Sequence, residues 1–287
     1  MTLLFIIAGP IAIGWLTAGS AMRRSCGLLV AAGMLMIPFQ MAGASLFETT
    51  AALLLALVCT LRVVDLYKEH PARPALQRIW HVIAIFDTRL ATRQPPEVKV
   101  RRLFEGLAWF GVVVVAYKIT IASTLYPMRW LFAALVIVAT FETFIRGIEI
   151  VWALVGIKTP VMHDSPYRSR SIREYWGVRW NRIVGGWLRE HCYVPLAERD
   201  HPRWGVTAAF TVSAVFHWYI ALALAGFWWS LPMAAFFLVQ GPLIWIEDFL
   251  QIRRRSPLIG QAWTLAMLLL ASPLLTEPLL QTLKHLR

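Results

Sequence analysis

The chain alternates between long apolar runs and short basic connections. Leu3 to Ala18, Gly27 to Ala44, Ala51 to Leu61 with its flanks, Leu107 to Leu125 and Leu131 to Ile145 each approach the length that crosses hydrocarbon. Together with later runs they predict eight helical spans, near 2–19, 27–44, 46–64, 105–126, 129–157, 205–228, 232–250 and 258–276, the fifth long enough to leave the membrane. The expected fold class is therefore all-α: a polytopic transmembrane helical bundle of about eight spans with interfacial helices, built as a single membrane-embedded domain over 1–287. No internal repeat or low-complexity tract interrupts it. No Lys or Arg precedes the first run, so it reads as a retained helix rather than a cleaved leader.

Charge sharpens this picture. The 287 residues are 58% hydrophobic, and 28 Lys and Arg against 16 Asp and Glu give +12. In a soluble protein that excess would suggest nucleic acid; here it marks orientation, and no nucleic-acid partner is expected. The 65–104 connection holds eight basic residues and the 158–204 connection nine, Arg23 and Arg24 follow the first span, and Arg253 to Arg255 follow the seventh. The opposite connections contribute only Arg129. Both large segments are thus expected at the cytosolic face of a bacterial inner membrane or endoplasmic reticulum. In 65–104 the series Ile79, Trp80, Val82, Ile83, Ile85 and Phe86 suggests a short interfacial helix with its apolar side in lipid, or else an aromatic-packed loop. Cys26, Cys59 and Cys192 have neither disulfide-framework nor metal spacing, and no metal site is expected.

Chemistry concentrates in the second basic segment. Ser171 and Glu174 have capping-box spacing, predicting a helix from Ile172 toward Glu190. On such a helix Trp176, Trp180, Ile183 and Trp187 form an aromatic stripe, and Gly177, Asn181 and Gly185 a second row four residues apart. That row would leave the Asn181 amide projecting from a face without neighbouring side chains, with room for a substrate chain. Arg173, Arg179, Arg182 and Arg189 around it suit phosphate groups or, equally, lipid headgroups. A purely structural aromatic-belt helix has the same stripe.

The stretch Ser171-Ile-Arg-Glu174-Tyr175-Trp176-Gly177-Val-Arg179-Trp180-Asn181, with upstream Arg146-Gly147-Ile148 and downstream Val212 to His217, resembles the membrane-bound O-acyltransferase (MBOAT) superfamily, in particular its wax-synthase-like branch. The matching features lie in the C-terminal half of the chain. The resemblance implies an MBOAT-like fold and an enzyme that moves a fatty acyl group from acyl-CoA to the hydroxyl of a lipophilic alcohol. It implies His217 and Asn181 as catalytic residues, and Tyr175, Trp176, Gly177, Arg179, Trp180, Arg182, Gly185 and Ser213 as substrate-binding residues. Acyl-CoA would be a co-substrate, with no bound cofactor.

Elementary chemistry is compatible with that pair. A histidine deep in an apolar span is expected to be neutral and able to accept a hydroxyl proton, with Ser213 one turn away orienting it. The Asn181 amide could donate to a thioester carbonyl as it gains charge. Glu142, Arg146 and Glu149 share a face of the fifth span and read as a self-neutralising structural triad. Lys118 reads as a snorkelling or paired charge, and Cys192 beside His191 as a less favoured acyl-carrying thiol. Two other classes fit the same sequence: a lipid or small-molecule transporter using the buried charges, and an inactive scaffold keeping the fold. The alcohol and the oligomeric state stay open.

Overall fold

The computed structural model describes residues 2–17, 21–41, 43–69 and 73–284. Helices dominate the described residues, and six helices among those residues are long and apolar enough to cross a membrane: α3 (Leu46–Lys68), α5 (Val100–Ala122), α6 (Tyr126–Leu154), α10 (Pro202–Ala225), α11 (Phe227–Phe249) and most of α12 (Pro257–Lys284). They make this an all-α, multi-pass membrane protein. The first two expected spans also hold helices, α1 (Thr2–Leu16) and α2 (Ala21–Met34), of 15 and 14 residues. At 1.5 Å per residue each is about 20 Å long, short of the roughly 30 Å of hydrocarbon. Residues 18–19 of the first expected span and 42 of the second lie outside the described residues. α2 starts earlier than its apolar run and stops at Met34, where the chain tightens into a 3₁₀ turn, Ile37–Gln40, around Pro38.

Two compact units divide the chain at Arg89. In the first, Ile13, Met34, Ala56, Cys59, Val63 and Val82 are buried together. Ser45 and Glu48 close a capping box that starts α3. The helix expected in 65–104 coincides with α4 (Ala75–Ile83), which buries Arg78, His81 and Val82 against the protein and leaves Leu76 and Ile83 exposed. Arg78 donates from Nε to the Gly14 carbonyl at 2.8 Å, and Gly14 must lack a Cβ because the Ile79 backbone would lie 2.7 Å from it. Buried Arg62, Asp65, His81 and Thr88 hydrogen-bond to one another beneath α4.

In the second unit α5 packs along α6 and α10 along α11, with α12 against α6, α10 and α11. A two-residue antiparallel ladder, β1 (Thr92–Arg93) with β2 (Ile157–Lys158), closes on Gly156, whose φ of 74° and closeness to the Gln94 carbonyl exclude a side chain. On α6, Arg146 reaches Glu142 at 3.2 Å and Glu149 at 2.5 Å, and Glu105 of α5 at 3.7 Å. Glu149 also meets Arg102 at 3.2 Å. The expected triad is therefore the centre of a larger network that ties α5 to α6. Lys118 is exposed near the C-terminal end of α5.

Removing Arg146 would strand Glu142 and Glu149 without their shared cation in an apolar bundle. Arg146→Met is expected to lower unfolding free energy in detergent by about 3–5 kcal/mol; a loss below about 1 kcal/mol would contradict a closed network.

Candidate functional site

The segment after Ser171 is not the single helix its sequence suggests. It runs as a short α7 (Ile172–Glu174), a π-helical turn (Tyr175–Arg179), a break at Trp180 and Asn181, then α8 (Arg182–Leu188), a second π turn (Arg189–Tyr193) and α9 (Val194–Ala197). Asn181 has φ 36° and ψ 61°, the left-handed region that asparagine tolerates better than most residues. The expected row of Gly177, Asn181 and Gly185 is therefore corrected: the break turns α8 away from the axis of α7. Among the described residues no atom lies within 4 Å of a Cβ built at Gly177, whereas one at Gly185 would lie 3.3 Å from the Trp176 carbonyl. Gly185 lets the two halves of the broken helix approach, rather than leaving space for a ligand.

Every turn of this segment is held by identifiable partners. Ser171 Oγ accepts from the Glu174 amide at 2.9 Å. Glu174 accepts in turn from the Arg170 amide at 2.8 Å and from Arg179 Nε at 2.7 Å. Burial pushes the Glu174 carboxyl up, but these hydrogen bonds and the charges of Arg179 and Arg170 outweigh it and hold the group below its ordinary range. The buried carboxylate of Glu247, on α11, accepts from the Ile172 amide at 2.6 Å, satisfying a first-turn donor of α7. At the break, Asp164 N–H donates to the Arg179 carbonyl at 3.0 Å and Arg182 N–H to the Met162 carbonyl at 2.8 Å. Asn181 itself caps α8, its Oδ1 accepting from the Val184 amide at 3.4 Å.

Trp176 carries this segment into the bundle. Its indole packs against Phe210 of α10 and against Phe236 and Phe237 of α11, and its Nε1 donates to Gln240 Oε1 at 3.0 Å. Phe237 in turn stacks on His217, with ring centroids 3.6 Å apart and planes 23° from parallel. Trp180, next to Asn181, stacks on Tyr175 and meets Trp176 edge-on at 6.1 Å. A continuous run of ring contacts thus joins the neighbour of Asn181 to His217.

His217 lies half-buried on α10. Its Nδ1 is 2.7 Å from the Ser213 carbonyl oxygen, one turn back. A carbonyl only accepts, so Nδ1 carries the proton and Nε2 of the neutral ring keeps its lone pair. Ser213 orients the ring through its backbone, while its buried side chain and that of Ala214 stay on the inner side of the helix.

Among the other expected residues, Tyr175 is buried and stacked under Trp180. Arg179 is bound to Glu174 and lies 3.7 Å from Asp164, and Arg173 pairs with Asp248 at 2.6 Å, so both guanidinium groups brace the segment. Arg182 and Arg189 are exposed. Glu142, Arg146 and Glu149 form the ion network on α6. Cys192 is half-buried in the second π turn and takes part in no disulfide among the described residues. Gln240, Glu247 and His163 were missed from the sequence. The first two had a signal, since polar residues inside a predicted span are costly and call for a role. His163 sits in a loop and had none.

A half-buried histidine and a broken, heavily braced segment thus sit together in the second unit of a multi-pass helical membrane protein. Residues 159–239 match the family model described as membrane bound O-acyl transferase family. A probable long-chain-alcohol O-fatty-acyltransferase of Arabidopsis thaliana is 26% identical over 167 residues, covering 53% of this chain and 48% of that protein. An acyl-CoA–sterol O-acyltransferase of the same plant is 27% identical over 128 residues, covering 42% of this chain and 35% of that protein. The aligned part of this chain thus spans about half or less of the length of these relatives. The matches support membership of the membrane-bound O-acyltransferase superfamily.

Two outcomes follow from the geometry of the break. Asn181→Gly, which keeps the left-handed turn, is expected to stay within about 0.5 kcal/mol of the wild type, whereas Asn181→Ala loses about 1–2 kcal/mol in detergent unfolding; equal losses would contradict the conformation. His163 is buried, and burial together with the Arg146 charge lowers its pKa to about 4. An unfolded imidazole titrates near 6.5, so the unfolded state takes the proton first and stability should fall as pH drops from about 6.5 toward 4. His163→Phe should flatten that slope in unfolding curves measured across this range, and an unchanged slope would refute it.

Proposed function

We propose that this protein is an acyl-CoA-dependent O-acyltransferase that esterifies a lipophilic alcohol, with His217 as general base and Asn181 as the donor to the thioester carbonyl. The observation that carries the reading is the fixed tautomer of His217: the Ser213 carbonyl takes the Nδ1 proton, which leaves Nε2 as a proton acceptor in a ring stacked on Phe237. Asn181 complements it. Its Oδ1 is engaged by the Val184 amide, so the NH₂ group is left to donate.

The reaction balances with these groups alone. The alcohol O–H gives its proton to Nε2 as its oxygen bonds to the thioester carbon. The carbonyl oxygen gains negative charge, which the Asn181 N–H stabilises. The C–S bond then breaks and the departing CoA sulfur takes the proton from the imidazolium, leaving ester and free CoA. No protein nucleophile is used. Acyl-CoA would enter from the cytosolic side, where the basic residues of 158–204 are expected by the positive-inside rule, with its tail in the bilayer.

The names of the relatives favour a long-chain alcohol or a sterol as acceptor. Pairing of Glu142, Arg146 and Glu149 with one another suits a brace better than a translocation path. In proteoliposomes supplied with palmitoyl-CoA and a long-chain primary alcohol, His217→Ala is expected to lower kcat by about 10²–10⁴ and Asn181→Gly by about 10²–10³. Full ester synthesis by either folded variant would overturn the assignment.

A further inference from the structure

The role proposed for Asn181 depends on its backbone staying in an unfavourable conformation, and the side chain placed to keep it there lies outside the motif. Met162, His163 and Asp164 run alongside the break as a strap. The Asp164 amide is bonded to the Arg179 carbonyl on one side of Trp180–Asn181, and the Met162 carbonyl to the Arg182 amide on the other. His163 lies between those two hydrogen bonds. The residue is 3% exposed, and its ring meets the Trp180 indole edge-on, with centroids 4.9 Å apart and planes at 84°.

Besides Trp176, two further rings pack against Trp180. Tyr175 stacks on it at 5.5 Å and 13°, and Phe141 of α6 lies 5.0 Å away. Phe141 also packs edge-on to His163 at 6.1 Å. On its far side, His163 Nδ1 faces Glu142 Oε1 at 3.5 Å, and Glu142 is held by Arg146. Neither ring nitrogen has a hydrogen bond to any of the described residues. A fully bonded structural histidine would fix itself through those nitrogens; this one is fixed by its ring contacts.

We infer that His163 is the positioning residue for Asn181, acting through the Trp180 ring to hold the amide-bearing turn at the active centre. The contacts run from the α6 ion network through His163 and Trp180 to Asn181. Removing the His163 ring would open space beside Trp180, letting the indole and the peptide that follows it shift. A displacement of about 1 Å in a catalytic donor can cost a hundredfold in rate.

The catalytic half of this inference rests on the acyltransferase reading, so two measurements are paired. The first is a double-mutant cycle on ester synthesis. His163→Ala should lower kcat by about 10- to 100-fold while leaving KM for palmitoyl-CoA within about twofold, and should cause no further loss in an Asn181→Gly background. His163→Phe, which keeps the ring contacts, should stay within about threefold of the wild type. Additive losses, or a Phe variant as slow as the Ala variant, would overturn the proposal.

The second measurement, amide hydrogen exchange, needs no activity. In His163→Ala, exchange at Arg182 and Gly185, whose amides bond to the Met162 and Asn181 carbonyls, should accelerate at least about tenfold while α10 and α11 stay protected. In His163→Phe it should not. Unchanged exchange at those two amides would overturn the positioning role even if ester forms. A wild type that makes no ester would instead sink the acyltransferase reading and leave the exchange result to decide this one.

Discussion

A chain that leaves the helix inside an apolar bundle must find a new partner for each backbone group it frees, because there is little water to serve. The hydrogen bond from the Ile172 amide to the buried Glu247 carboxylate is where this protein meets that demand first. It lets a helix begin against α11. The π turn that follows brings Trp176 to Phe236, Phe237 and Gln240, and the break brings Asn181 out of the helix as a cap. Without that acceptor, the first turn would carry a buried, unpaired donor costing about 1–3 kcal/mol.

The motif residues divide into those that hold and those that are free to act. Ser171, Glu174, Arg179 and Arg173 are occupied by hydrogen bonds and ion pairs within the segment or to Asp248. Gly185 permits close backbone approach to Trp176. Among the described residues the NH₂ group of Asn181 and Nε2 of His217 have no hydrogen-bond partner, while the other polar atom of each is engaged locally. A rigid surround of this kind is what proton transfer and oxyanion stabilisation need, since neither tolerates a loosely held group.

The bundle was legible because long apolar runs have few alternatives in a membrane, and helices α3, α5, α6, α10, α11 and α12 lie where the runs are. His217 was legible for the same reason: a histidine inside such a run is conspicuous. The shortness of α1 and α2 was less so, since hydropathy continues past Met34 while Pro38 favours a tighter turn. The packing of the buried side of α4 was not legible locally, because Gly14, which accepts Arg78 and admits Ile79, is far away in sequence. The break at Asn181 could not be read locally at all. The Ser171–Glu174 start was correct, but what ends the helix is tertiary: Met162 and Asp164 supply bonds at the break that a continuous helix would have made for itself.

The central claim is direct transfer from thioester to alcohol at His217 and Asn181, with no acylated protein between. Purified protein in liposomes can be incubated with palmitoyl-CoA, with and without a long-chain primary alcohol, and followed by mass spectrometry of both lipids and intact protein. The account predicts ester and free CoA in equal amounts only when alcohol is present, with the protein mass unchanged in both incubations. Absence of ester with the alcohol present, or a protein that gains one acyl group before any ester appears, would contradict it.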